Sequence, residues 1–173
     1  MPFIDPQTVL NPTAGGIGTA AWGDALRDAI IFLADPPHCR VYNSANISIP
    51  NNTLTALTFD SERVDTDTMH STVTNTGRIT MTTAGWYDVG AGIQWPAATA
   101  GDRGIFIRMN GVSYLTGLRF SSATLIDQAV STQWQFAAGD YIEVVVLQVS
   151  GAALNVTFGA SSSPEAWATW RAR

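Results

Sequence analysis

The side chains best suited to chemistry in this sequence are four carboxylates within residues 60–67. They belong to Asp60, Glu62, Asp65 and Asp67. Carboxylate oxygens at this spacing could bind Ca²⁺, but the segment lacks the Asp-x-Asp-x-Asp-Gly order with a distal Glu that makes an EF-hand loop specific. The pattern therefore favours a solvated loop, and calcium binding is the alternative.

Other residues capable of metal binding or covalent chemistry are few and scattered. Two histidines, His38 and His70, and one cysteine, Cys39, are too few for a structural zinc centre. The sequence has no Gly-x-Ser-x-Gly elbow, and no Lys follows the glycine run at 15–18 to mark a phosphate-binding loop. We therefore expect no catalytic residue, no bound metal and no cofactor. Glycosidase carboxylate pairs are brought together by the fold, so a polysaccharide-cleaving enzyme stays an alternative.

Composition and charge narrow the classes of function. The 173-residue chain has a net charge of −5, and its nine basic residues are all Arg and form no cluster. Binding a nucleic acid backbone needs several cations on one face, so we expect no nucleic acid partner. The longest apolar runs fall well short of the roughly 20 residues of a membrane span, and no secretory signal is visible. We expect a folded chain that does not insert into a membrane.

From about residue 39 onwards, hydrophobicity alternates with a period of two and the breaks fall at Gly, Asn, Asp and Pro. This pattern predicts an all-β domain whose strands have one dry and one polar face. The longest alternating set is Tyr87, Val89, Ala91, Ile93 and Trp95. The Asn110-Gly111 pair between two apolar segments predicts a hairpin, because both central positions of a type I′ turn need positive φ.

Five of the six tryptophans divide between predicted core and predicted surface. Trp95, Trp134 and Trp167 fall on alternating apolar faces and are predicted to lie in the core. Trp86 falls on the polar face of its strand, and Trp86 and Trp170 are the candidates for an exposed or interfacial aromatic residue.

The segment at 141–149 is apolar on both faces. Its predicted core face carries Ile142, Val144 and Val146, and its second face carries Tyr141, Val145, Leu147 and Val149, interrupted by Glu143. Only one face of a strand meets the core of a two-sheet sandwich, so the second face needs a cover. We predict that a neighbouring subunit supplies it and that these four second-face residues form an oligomer interface. A loop or the N-terminal segment is the alternative cover.

The first 37 residues follow a different pattern. Residues 1–18 have no periodicity and predict an extended arm. From Thr19, apolar residues recur at helical spacing until Asp35-Pro36-Pro37 ends the pattern, which predicts an amphipathic helix at about 20–34. The predicted anchoring stripe is Trp22, Leu26, Ile30 and Leu33. We therefore predict an N-terminal anchor at 1–37 and a β head at 38–173.

Three turn-and-strand segments carry a resemblance to a known family. Gly85-x-Tyr87 follows Asn75-Thr76-Gly77, and the Asn110-Gly111 hairpin and the Gly139-Asp140 turn follow in that order. Over residues 38–173 the sequence resembles the globular head of the q subunit of the first complement component and its tumour necrosis factor relatives. The resemblance implies a jelly-roll β-sandwich that forms a three-fold homotrimer, with the strand at 141–149 near the axis. Some relatives of the complement head bind calcium near the trimer apex.

The general pattern of the chain is also similar to virion proteins of tailed bacteriophages, particularly those of actinobacterial hosts. It rests on the absence of Lys, the anchor-like leader, and the lead-in from Tyr42-Asn43-Ser44-Ala45 to Phe59-Asp60. The similarity implies a structural role on the virion surface as a minor tail protein, spike or capsid decoration. The N-terminal segment would bind other virion proteins, and a host-surface glycan is a candidate partner. A soluble lectin-like or cytokine-like binding module is the alternative.

Overall fold

The computed structural model describes residues 20–98, 100–159 and 162–173, which form one helix followed by an antiparallel β-sandwich. The helix and the first six strands are α1 (Ala20–Ala34), β1 (His38–Tyr42), β2 (Ile47–Ile49), β3 (Thr55–Ala56), β4 (Ser61–Asp65), β5 (Arg78–Thr80) and β6 (Gly85–Trp95). The remaining strands are β7 (Gly101–Met109), β8 (Ser113–Ser122), β9 (Ile126–Phe136), β10 (Tyr141–Gln148), β11 (Leu154–Val156) and β12 (Glu165–Ala172).

The strands form two main sheets and a small side pair. The first sheet has the order β4-β1-β12-β6-β9. In the second sheet β3 and β5 both pair with β10, which is followed by β7 and β8, while β2 pairs with β11 apart from both sheets. The predicted all-β jelly-roll sandwich with a short N-terminal helix is confirmed.

The core lies between the two sheets and follows the alternation in the sequence. All five members of the alternating set in β6, from Tyr87 to Trp95, are buried. The facing sheet contributes Ile105, Ile107, Ile142, Val144 and Val146. The period-two pattern therefore identified the inward faces of β6 and β10 correctly, because side chains alternate across a pleated strand.

The hairpin between β7 and β8 has the predicted turn chemistry. Asn110 and Gly111 have φ values of 51° and 72°, so both occupy the left-handed region that a type I′ turn requires. Asn110 also ties the turn to the neighbouring connection, because its side-chain oxygen accepts a hydrogen bond from the backbone N–H of Tyr141 at 3.0 Å.

Helix α1 has the predicted bounds and docks on its own β domain. Ala29 is buried, and the ring of Phe32 meets that of Trp170 edge to face with centroids 5.0 Å apart. The chain then enters β1 at once, and the backbone carbonyl of Pro37 accepts a hydrogen bond from the N–H of Trp170 at 2.8 Å. The predicted arm at 1–18 lies outside the described residues.

Within the described residues, no helix is long and apolar enough to cross a membrane.

Candidate functional site: the assembly surfaces

The second face of β10 is already covered within a single chain. Val145 is 1% exposed and Leu147 is 8% exposed, whereas Tyr141 and Val149 are half-buried. The premise that this face needs a neighbouring subunit is therefore wrong. The inference of an interface at Tyr141, Val145, Leu147 and Val149 loses its physical reason.

The cover comes from the neighbouring strands of the same sheet. Val145 lies between Ala56 of β3 and Phe106 of β7 in the strand register. Polar groups shield the end of β10 near Glu143, whose carboxylate pairs with Arg108 at 2.9 Å and with Arg78 at 3.5 Å. A sheet face with a large aromatic residue on the next strand can thus be apolar without contacting another copy.

Uncovered apolar side chains lie instead along the edge where β8 and β9 meet. Leu118 and Phe120 in β8 and Trp134 in β9 are paired in register with the buried residues Ile105, Arg103 and Tyr87, so they point inward. Nevertheless these three and Leu125, in the connection between the strands, are 38–55% exposed. We call these four residues the open edge. Fully burying a Leu or Phe is worth about 1.5–3 kcal/mol, so leaving each about half exposed forgoes on the order of 1 kcal/mol.

A second surface lies on the outer face of the first sheet, in a shallow depression of about 730 Å³ beside Trp167. The indole ring of Trp167 lies over Gly90, and the guanidinium carbon of Arg40 is 5.9 Å from the ring centroid. Arg40 and Arg63 both bind the carboxylate of Glu165, with their Nε atoms 2.7 and 3.0 Å from its two oxygens. We call this surface the Trp167 face.

The charges of the Trp167 face are locally arranged around one carboxylate. Burial alone would raise the pKa of Glu165, but hydrogen bonds from Arg63, Ser163 and Arg40 outweigh it and hold that pKa below its ordinary value. Two guanidinium groups share this carboxylate, so the group of three carries one net positive charge. Tyr42 adds an aromatic ring 4.5 Å from the guanidinium carbon of Arg63.

The four carboxylates of the acidic segment bind separate partners rather than one common point. Asp65 accepts backbone hydrogen bonds from Asp67, Met69 and His70 at 2.9–3.2 Å, and Glu62 lies 2.9 Å from Nδ1 of the buried His70. Asp60 binds the backbone and hydroxyl of Ser44, and Asp67 accepts from the hydroxyl of Thr82. Among the described His, Cys, Asp and Glu residues, no group of three or more is arranged to hold a metal ion. The predicted solvated loop is wrong for residues 61–65, which form β4 and pair with β1, and Asp65 organises the connection that follows the strand.

Cys39 lies in the core and is not placed for chemistry. Its side chain is buried, and burial raises the pKa of the thiol far above its ordinary value, with Asp65 and Glu62 adding to the effect. The thiolate is the reactive form of cysteine, so this residue is a packing group.

The predicted anchoring stripe of α1 is divided between two sides of the helix. Trp22 and Leu26 are half-buried and belong to the docked side of the helix, which also includes Ala29 and Phe32. Ile30 and Leu33 are each 58% exposed and, with the exposed Ile31, form an uncovered apolar patch. We call Ile30, Ile31 and Leu33 the helix patch. The helix is therefore apolar on more surface than its own domain covers.

The tryptophan predictions were right in two positions and wrong in three. Trp95 is buried and Trp86 is exposed, as predicted. Trp170 is buried instead of exposed, because α1 covers it through Phe32. Trp134 is exposed because it lies on the last strand of its sheet, and Trp167 lies on the outer face rather than in the core.

Sequence reasoning missed both assembly surfaces. Leu118 and Phe120 alternate with Gly117 and Arg119, which is the pattern of any strand with one buried face. The pattern contains no sign that β8 is an edge strand. Arg40, Arg63 and Glu165 are far apart in the chain, so their convergence left no local signal.

The fold of this chain is similar to that of solved structures with low sequence identity. The sequence matches no protein-family model and no curated protein. A tumour necrosis factor, Eiger from S. frugiperda, aligns with a TM-score of 0.56 at 12% identity, over 79% of this chain and 94% of that one. Murine APRIL aligns with a TM-score of 0.52 at 10% identity, over 76% of this chain and 98% of that one. At these identities the likeness concerns the fold, and it confirms a jelly roll like that of tumour necrosis factor.

Proposed function

We propose that this chain is a non-enzymatic structural protein of a tailed-bacteriophage virion, a homotrimeric head displayed on the capsid or tail surface. The observation that carries the proposal is the open edge, because a soluble protein rarely leaves core-facing side chains of two strands uncovered. The jelly-roll fold supports the trimer, since the sequence resemblance to the complement and tumour necrosis factor heads implies three-fold assembly.

The two assembly surfaces define the geometry of the proposed trimer. The open edge of one copy packs on the Trp167 face of the next. A contact between two different patches is heterologous, and it generates a closed ring when its rotation is one that closes. In a ring of three, the open edge of every copy is covered by the Trp167 face of its neighbour. It also leaves the outer face of the second sheet directed away from the contact.

The helix patch supports the anchor. Ile30, Ile31 and Leu33 are exposed on the helix whose Ala29 and Phe32 contact the head, so they are available to bind another virion protein. The virion location itself is supported by the absence of Lys, the leader and the general sequence pattern. A second candidate function, which the fold favours, is a soluble lectin-like or cytokine-like binding module that is not part of a virion.

Trimer formation is tested by substituting Leu125→Asp in the connection between β8 and β9. Leu125 lies outside the strands and is exposed, so a charge there should not impair folding of one copy. Sedimentation equilibrium should give three chain masses for the wild-type protein and one for the variant. Val73→Asp, at an exposed apolar residue in the connection between β4 and β5, is the control and should stay trimeric. A wild-type monomer at micromolar concentration contradicts the trimer.

The anchor is tested without removing α1, because Phe32 and Pro37 hold the helix against Trp170. Ile30→Ser with Leu33→Ser should leave the trimer intact and abolish incorporation into particles, measured by mass spectrometry of purified virions. Val112→Ser, at the exposed tip of the β7–β8 hairpin, is the matched control. If the double variant is incorporated at the wild-type level, the helix patch does not anchor the protein to the virion. A trimer that never joins particles favours the soluble binding module.

A further inference from the structure

The outer face of the second sheet carries an aromatic depression of about 510 Å³ that the assembly surfaces do not use. It is lined by Leu54, Phe106, Tyr114, Leu115, Thr116, Gly117, Arg119 and Leu147. Small-molecule sites measure about 300–1,000 Å³ and combine apolar and aromatic walls with a few placed polar groups. The depression has both the size and the lining of such a site.

Phe106 forms the floor because glycine occupies the positions beside it. A Cβ at Gly117, directly across the ladder, would lie 2.8 Å from Cε1 of the ring and closer still to Cδ1. A Cβ at Gly104 would lie 2.8 Å from Cε2. The Phe106 ring therefore packs over the backbone at Gly104 and Gly117, and it also lines the depression.

Tyr114 and Leu54 form opposing walls that the chain leaves open. The Tyr114 ring stands at 72° to that of Phe106, with centroids 5.7 Å apart. Both Tyr114 and Leu54 are about half exposed. Phe106, Tyr114 and Leu54 all line the depression, so an aromatic surface is accessible within it.

Arg119 lines the rim of the depression, and its ion-pair partner Asp102 lies beside it on β7. Arg119 binds Asp102 through Nε at 2.9 Å and Nη2 at 2.6 Å, and both bonds end on Oδ2. In the described part of the chain, Nη1 of Arg119 and Oδ1 of Asp102 make no hydrogen bond. The pair is electrically neutral as a whole, so the rim favours an uncharged partner that can both donate and accept. A hydroxyl group does both.

We infer that this depression is a carbohydrate-binding site that takes an uncharged pyranose ring. The apolar C–H face of the sugar stacks on Phe106 against the Tyr114 wall, and neighbouring hydroxyls bind Arg119 and Asp102. A purely apolar ligand would use neither Arg119 nor Asp102, which stay exposed to water, and an acidic one would meet a neutral pair. The inference deepens the proposed function and rests on it, since the second sheet must face outward from the trimer to reach a host-surface glycan.

The test is a titration of the full chain with the methyl glycosides of glucose, galactose, mannose and N-acetylglucosamine. Amide resonances are followed by NMR, and saturation transfer to the sugar identifies the protons in contact. At least one glycoside should bind with a Kd on the order of 1 mM, as expected for one sugar ring. It should shift the amides of Thr116, Gly117 and Arg119 and receive saturation mainly on one ring face.

Three variants locate the site. Phe106→Leu keeps an apolar floor without an aromatic face, and Tyr114→Ser and Arg119→Ala alter exposed positions. Each should weaken binding about tenfold or more. Arg27→Ala is the matched control, because Arg27 is an exposed, carboxylate-paired arginine in α1 that belongs to none of the surfaces named above. It should bind sugar like the wild-type protein.

Two results would overturn the inference. One is the absence of shifts with every glycoside at concentrations on the order of 10 mM, well above the expected Kd. The other is binding that Phe106→Leu and Arg119→Ala leave unchanged, or equal binding of cyclohexanol, which would mean another site or a plain apolar groove. Sedimentation of the same samples separates the two proposals. A trimer that binds no sugar refutes only this site, whereas a monomer that binds sugar refutes only the trimer.

Discussion

Substituting Gly90→Ala tests how the Trp167 face is built. Gly90 lies on the outer face of β6, directly beneath the indole ring of Trp167. A Cβ at this position would lie 2.9 Å from Cη2 of the ring and closer still to Cζ2 and Cε2. Carbon atoms pack best at about 3.5–4.0 Å, so the ring must move by roughly 1 Å or more. We expect the variant to lose stability because Trp167 is pushed off the sheet.

The expected loss is about 1–3 kcal/mol, the usual range for one methyl group too many in a packed site. Gly92→Ala is the matched control, two residues along the same face of the same strand. A Cβ there would meet nothing closer than the backbone oxygen of Gln128, at 4.0 Å. That substitution should be neutral or should stabilise the protein by about 0.4–1 kcal/mol, because it restricts the unfolded chain.

The assay is urea unfolding followed by circular dichroism at one fixed protein concentration. Fluorescence is unsuitable because the substitution itself moves a tryptophan. With a slope of about 1–3 kcal/mol per molar urea, the expected loss moves the midpoint by on the order of 1 M. The same pair of glycine variants is then made in a Trp167→Ala background, where Gly90→Ala should cost no more than Gly92→Ala.

Two outcomes would refute the reasoning. If Gly90→Ala is as stable as Gly92→Ala, the ring has room that the structure does not show. If the cost of Gly90→Ala persists without Trp167, its cause lies in the backbone and not in the indole. A displaced Trp167 also disturbs the proposed contact surface, so Gly90→Ala should weaken the trimer in sedimentation experiments.

Two further predictions concern Glu165 and Leu147. The folded state holds the pKa of Glu165 below its ordinary value of 4.5, so its ion pairs should stabilise the protein above that pH and cease to do so as the pH falls through the folded pKa. The stability difference between wild type and Glu165→Gln, measured by urea unfolding, should therefore be full at pH 7 and shrink in acid; a difference that is the same in acid contradicts this. Leu147→Ala should destabilise even the monomeric Leu125→Asp variant, by about 2 kcal/mol or more, because its own chain buries Leu147. Its effect would disappear in the monomer only if a neighbouring copy supplied the cover.

Local features of the fold were predictable because each depends on residues that are close in sequence. The helix at Ala20–Ala34 follows from apolar spacing and from the prolines that end it. The hairpin at Asn110-Gly111 follows from the positive φ values that these residues tolerate. The inward face of β6 follows from alternation alone.

The candidate site was not predictable in the same way. A strand that is apolar on both faces needs a cover, but its sequence does not say which group provides it. For β10 the cover is provided within the chain, where β10 lies between β3 and β7 and Val145 and Leu147 are buried. The same limit explains the wrong prediction for Trp134, since alternation identifies the inward face and cannot show that no further strand follows β9.

The amino-acid sequence by itself determined the strand-rich architecture, the helix at its start and the tight turn of the β7–β8 hairpin, because propensity, periodicity and φ preference act over a few residues. The tertiary structure alone decided which apolar faces stay uncovered and which distant charges meet. Exposure depends on the order of strands in the two sheets, and that order joins residues more than a hundred positions apart, as it does for Arg40 and Glu165.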